Sequence, residues 1–145
     1  MELDELLYNA LRADSDLMTA VGSRIESTCF EVSPDEQDNT PLPCIIVTDD
    51  GLTATPESKD TEWESAEDSV QASVEIDGRT PKEVKQLVRQ ARSVIAAYMR
   101  QLEVQGEDVP CLRTVQTSGV AWDWLKPCYH ETITYQCDVD NHLYD

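Results

Sequence analysis

Apolar and polar positions recur along this chain with two different periods, and the switches between them mark out its elements. Leu3, Leu6, Leu7, Ala10 and Leu11 fall at the i, i+3, i+4 spacing of a helix with one buried stripe. Asp14 or Ser15 is placed to cap a second short turn carrying Leu17, Met18 and Val21, which Gly22 ends. Arg24 to Val32 alternates weakly, as a strand, and Ser33 to Thr40 is polar and acidic, as a loop. Pro41 and Pro43 cannot donate to a ladder, so they mark the lead-in to a strand at Cys44-Ile45-Ile46-Val47. That run is continuously apolar, which predicts burial on both faces. Asp49-Asp50-Gly51 then reads as a turn. Thr53 to Asp68 is rich in acids, Ser and Thr, with Trp63 its one large apolar side chain, and reads as a mobile acidic arm.

The second half is more regular. Val70, Ala72, Val74 and Ile76 alternate with Gln71, Ser73, Glu75 and Asp77, a half-buried strand. Gly78-Arg79 turns the chain into a helix with Thr80 as N-cap, Pro81 at the first helical position and Glu83 completing a capping box. Val84, Leu87, Val88, Ala91, Ile95, Tyr98, Met99 and Leu102 form its apolar stripe, and Gly106 lies at or just past its end. Leu112 to Val120 and Tyr129 to Val139 predict two more strands, joined by a turn through Trp122-Asp123-Trp124-Leu125-Lys126-Pro127. The expected fold is α+β: a single, mostly antiparallel sheet with one long and one short helix packed on one face. Residues 1–145 suit one domain.

Composition narrows function chiefly by exclusion. No apolar run is long enough for a transmembrane helix, and the acidic start Met1-Glu2-Leu3-Asp4-Glu5 is unlike a secretory signal, so synthesis in the cytosol is expected. The five cysteines are widely and irregularly spaced, which reads as small buried hydrophobes in strands. A metal set from Cys128, His130, Cys137 and His142 matches no zinc framework, although Cys128 and His130 would share a strand face. The glycines are scattered, so no phosphate-cradling loop exists. No catalytic, cofactor or metal residue is nominated, and an enzyme is not expected.

Charge does change the picture. The chain carries 29 acids against 11 bases, a net −18, which repels nucleic acid. The distribution is uneven: Lys59 is the one base between Glu31 and Asp77, whereas Lys82, Lys85, Arg89, Arg92 and Arg100 all fall on the long helix. Such bases are usually the wet side of an amphipathic helix, but a basic face on one copy also complements an acidic arm on the next. The expected contact surface between subunits or with partners is therefore Trp63 and Glu64 on the arm, with Lys82, Lys85, Arg89 and Arg92 on the helix.

The order of these pieces resembles the tail-terminator, or tail-completion, family of long-tailed phages and prophages. The opening helix with Leu6-Leu7 and Leu17 leads to Val21-Gly22-Ser23-Arg24-Ile25 and then to Leu42-Pro43-Cys44-Ile45-Ile46-Val47. Family members usually place a tyrosine at the Cys44 position. Val70-Gln71-Ala72-Ser73-Val74-Glu75-Ile76, the helix from Pro81, and the ending Glu131-Thr132-Ile133-Thr134-Tyr135-Gln136-Cys137-Asp138-Val139 follow in order. The resemblance implies a homo-oligomeric ring, often a hexamer, at the tail–head junction of the virion. Such a ring caps the tail tube protein, meets a head connector or neck protein, and lets DNA pass without specific binding. Six copies would carry about −108, which suits sliding DNA. Two alternatives remain: a head–tail adaptor on the portal side, and an acidic DNA mimic that inhibits a nucleic-acid-binding protein.

Overall fold

The structure is a computed structural model that describes residues 2–27, 41–54, 67–107, 109 and 111–140. In chain order its elements are α1 (Leu3–Arg12), α2 (Ser15–Ala20), β1 (Ile25–Ser27), β2 (Cys44–Ala54), β3 (Glu67–Gly78), α3 (Pro81–Val104), β4 (Arg113–Thr117), β5 (Ala121–Asp123) and β6 (Cys128–Asp140). The six strands form one sheet in the order β1-β2-β3-β6-β4, with β5 also paired to β6. All pairings are antiparallel except β1 with β2. The expected α+β architecture is present. The opening helical region is divided into two helices, because Asp14 caps α2 by accepting a 2.9 Å hydrogen bond from the Leu17 N–H.

α1 and α3 pack against each other and against the same side of the sheet. Leu3, Leu6, Leu7, Ala10 and Leu11 of α1 join Val84, Leu87, Val88, Ala91, Ile95 and Met99 of α3 in one core. Beneath them lie Ile45, Val47, Ala72, Val74, Ile76, Ile133, Tyr135 and Cys137, alternate residues of β2, β3 and β6. Each buried Leu, Ile or Val contributes about 1.5–3 kcal/mol relative to exposure. No helix among the described residues is long and apolar enough to cross a membrane.

The caps of α3 follow from its sequence, with one change. Thr80 Oγ1 accepts the Glu83 N–H at 3.1 Å and Pro81 occupies the first turn, as expected. Glu83 does not close a capping box onto Thr80. Its carboxylate accepts the Arg79 N–H at 2.9 Å, one residue further back, and also pairs with the Arg79 guanidinium. At the other end Gly106, at φ +80°, lets its own N–H reach the Glu103 carbonyl and the Glu107 N–H reach that of Leu102, the paired bonds of a Schellman stop. At the start of α3, Gly78 is buried, and a Cβ there would stand 2.8 Å from Val84 Cγ2. The strand can turn under the helix because this residue has no side chain.

Three other expectations are revised. Asp49-Asp50-Gly51 is no chain reversal: β2 runs through it, and the ladder with β3 shifts register between Asp49 and Gly51. The Gly51 N–H donates to Asp49 Oδ1 at 2.9 Å, and Gly51 takes φ +94°, so the turn chemistry builds a bulge within the strand. Both ends of the predicted acidic arm are strand, paired out to Ala54 and Asp68, while residues 55–66 lie outside the described set. The Trp122–Pro127 turn is shorter than expected, because Trp122 and Asp123 belong to β5. Burial of Cys44–Val47 on both faces holds in the main: Cys44, Ile45 and Val47 are buried and Ile46 half-buried.

Candidate interaction surface and a buried polar cluster

The outer face of α3 presents Lys82, Lys85, Arg89, Arg92 and Arg100, all exposed. Between α3 and the chain around β4 lies a groove of about 850 Å³. Ile95, Met99, Leu112 and Tyr135 line it, with Arg89, Arg92 and Arg100 among its charged groups. Burial pushes the Tyr135 phenol up to about 12, with Arg92 acting in the opposite sense. Of the residues expected at a contact, Arg89 and Arg92 therefore border an apolar-floored groove, while Lys82 and Lys85 sit nearer the start of α3 and do not line it. Trp63 and Glu64 lie outside the described residues. Cys111, expected to be buried, is exposed and lines the same groove. It precedes β4, every residue of which is exposed.

The sheet face away from the helices carries a second feature. Strand alternation places Gln71, Ser73, Glu75 and Asp77 there on β3, opposite Gln136, Thr134, Thr132 and His130 of β6. Most of these pair locally. Gln71 Nε2 donates to Gln136 Oε1 at 3.0 Å, Gln136 Nε2 donates to Ser69 Oγ at 3.0 Å, and the Ser73 hydroxyl donates to Asp50. At one end the pattern concentrates into charge. The Trp124–Pro127 turn brings Lys126 across β6, so that its Nζ lies 2.9 Å from Glu75 Oε2 and 3.6 Å from Asp77 Oδ2. The Cys44 thiol, from β2, lies 3.8 Å from the same Asp77 oxygen. Cys128 is also buried on this face.

Electrostatics in this cluster follow from crowding. Burial, and then the neighbouring Glu75 carboxylate, push the Asp77 carboxyl up to about 7. Burial is the largest single influence on Glu75 and works upward, but its bonds to Lys126 and Asp77, with the Lys126 charge, together outweigh it and hold Glu75 below the ordinary carboxylate value. For Lys126 burial is the largest single influence and acts downward, but the bond to Glu75 and the charges of Glu75 and Asp77 together reverse it, so the ammonium is held above its ordinary value. Burial and the nearby Asp77 push the Cys44 thiol up to about 12 and that of Cys128 up to about 11, so both are protonated and unreactive at neutral pH. Two buried polar atoms of the cluster, Asp77 Oδ1 and His130 Nδ1, have no hydrogen-bond partner.

The sequence-level metal set does not assemble. Cys128 and His130 share a face as expected, but Cys137 points into the helix-side core, and His142 lies outside the described residues. The alternation of Glu75 and Asp77 with apolar neighbours was the available signal that both share one sheet face. Their meeting with His130 depends on the β3–β6 register, and their meeting with Lys126 on the path of a turn.

Beside this cluster the β5–β6 turn ends in exposed apolar groups. Asp123 Oδ1 accepts the Leu125 N–H at 2.9 Å and that of Lys126 at 3.3 Å, tightening the turn. Trp122 meets the Tyr129 ring edge-on at 4.8 Å and that of Trp124 at 5.9 Å. Trp124 is 84% exposed and Leu125 92%.

No family model matches the chain, and no curated protein matches it. Among solved structures, it is similar to a chain from a structure described as the virion of a native gene transfer agent particle. The TM-score is 0.56 at 14% sequence identity, over 95% of this chain and 94% of that one. At that identity the likeness is one of fold, and it runs along nearly the whole of both chains.

Proposed function

We propose that this protein is a structural component of a phage or phage-like virion, and within it a tail terminator: a ring, hexameric in the resembling family, that caps the tail tube and joins it to the head. The observation that carries this reading is the fold shared with a virion chain over 95% of the length. It is supported by the independent order of motifs from Leu6-Leu7 through Cys44–Val47 to the last strand. The role is assembly and not catalysis. Its partners are further copies of itself, the tube protein and a connector, with DNA passing through a strongly acidic ring. Head-to-tail contacts that close on themselves give such rings. The segregated basic face of α3 is the surface of this chain best suited to meet an acidic neighbour, by steering encounter and fixing register.

The test is the mass of the purified protein by light scattering, at low and moderate salt, with and without tail-tube protein. A ring, formed alone or only on the tube, is the expected outcome. A monomer that ignores the tube but binds a portal-side connector would replace the terminator with a head–tail adaptor. A monomer that instead binds a nucleic-acid-binding host protein would favour the DNA mimic.

A further inference from the structure

The buried polar cluster holds more ligand capacity than its own partners use. One donor atom from each of Glu75, Asp77 and His130 lies within 4.8 Å of the others. Lys126 engages Glu75 Oε2 and Asp77 Oδ2, yet Asp77 Oδ1 and His130 Nδ1 remain buried and unpartnered. Asp77 is only 2% exposed, and an orphaned carboxylate oxygen in such a place costs free energy unless something fills its valence. Water or a second side chain is the ordinary remedy. Here the two orphans are a carboxylate oxygen and an imidazole nitrogen beside a second carboxylate, which are donors of a metal site.

The geometry points to Glu75, Asp77 and His130 as a binding site for a divalent transition-metal ion of the zinc class. An imidazole with two carboxylates suits zinc and its first-row neighbours, whereas calcium asks for six to eight oxygens and magnesium for near-octahedral oxygen coordination. Ligand atoms around one zinc stand at about 2.0–2.2 Å from it, so side-chain rotations suffice to bring donors that already lie within 4.8 Å of one another onto a single ion. β3 and β6 supply all three, with Asp77 directly opposite His130 in the ladder, so the backbone of the site is already set. Lys126 is the resident competitor. Its ammonium holds the carboxylates as a single positive charge, and with 43% of its side chain exposed it can yield to solvent when a doubly charged ion arrives. Binding would thus exchange a side-chain cation for a metal, and would free the turn that carries Trp124 and Leu125. The assignment does not depend on the role in tail assembly.

The experiment uses the untagged full chain, stripped with EDTA and desalted, then titrated with Co2+ by visible absorption and with Zn2+ by calorimetry. A single tight ion per chain is expected, with weak d–d bands that Zn2+ abolishes and excess Mg2+ leaves in place. His130→Gln and Asp77→Asn should each weaken binding by about tenfold or more, the scale on which metal sites respond to losing a supporting contact. Lys126→Met should move affinity the other way, tightening it because the competing ammonium is gone. Circular dichroism checks that each variant is folded. If His130→Gln fails to fold, the sign of the Lys126→Met effect decides. No binding by the native chain, binding unchanged in a folded His130→Gln, or weaker binding in Lys126→Met would each overturn the assignment.

Discussion

The two faces of β2, β3 and β6 bury their side chains by opposite means. On the helix side Ile45, Val47, Val74, Ile76 and Ile133 meet α1 and α3 in a contact dominated by apolar area. On the other side Cys44, Glu75, Asp77, Lys126, Cys128 and His130 crowd one end of the sheet, and a side chain from a distant turn neutralises carboxylates that their own strand cannot. The first face draws on area and fit, which carry no titrating group and so do not change with pH. The second draws on partnership, and a lost partner leaves a buried charge behind. One sheet thus has a face that sets stability and a face whose stability can be tuned.

The sharpest way to break this contrast is to open a cavity on the helix side. Ile133→Ala should cost about 2–5 kcal/mol, by chemical denaturation, with the same loss at pH 5 and pH 8. Next comes the polar face. Asp77 is packed against Cys44 from β2, Glu75 from its own strand, His130 and Cys128 from β6 and Lys126 from the turn. A carboxyl held near 7 when folded, against 3.8 as its ordinary value, leaves the folded chain with the more bound protons between those values. Its contribution is therefore present at low pH and lost as pH rises through about 7. Asp77→Asn should flatten the fall in stability between pH 4 and pH 7 by a few kcal/mol at most, measured as the difference between native and variant denaturation curves. Ile133→Ala should leave that slope unchanged.

A smaller effect is expected at the N-terminus of α3, where a polar cap serves the apolar face. Thr80→Ala should cost about 1 kcal/mol, read as a lower thermal midpoint, since the Glu83 N–H loses its acceptor. The smallest effect on stability is expected on the outside of the same helix. Replacing Lys85 and Arg89 by Glu should change stability by no more than about 0.5 kcal/mol, because both are exposed. If the basic face is the subunit contact, the same double change abolishes the ring seen by light scattering. An unchanged oligomer would move the contact elsewhere.

The elements most legible in the sequence are those whose burial repeats at a fixed spacing. The stripe from Val84 to Met99, the Thr80-Pro81 start and the alternation of β3 are periodic, so a one-dimensional reading finds them. The features that escaped it depend on which strands become neighbours. Lys126 and Glu75 are 51 residues apart, and nothing near either residue encodes their meeting. Asp49-Asp50-Gly51 carries sound turn chemistry, but the flanking ladder is long enough to keep it as a bulge. Glu83 fits the capping-box spacing, yet the bend at Gly78 and Arg79 offers it a nearer N–H. Of the expected contact residues, the helix bases are where periodicity placed them, and the groove beside Arg89 and Arg92 arises from tertiary packing alone.

The outer strand β4 carries a consequence for solubility. It ends the sheet, all its residues are exposed, and Val115 is half open to water. A straight row of free N–H and C=O groups there would be a template on which other chains could grow into fibres. Its ladder with β6 shifts register between Thr114 and Gln116, which breaks that row after two residue pairs on either side. An incoming strand finds no regular stretch to zip along. The irregularity that spoils β4 as a strand protects the chain from sticking to copies of itself edge to edge.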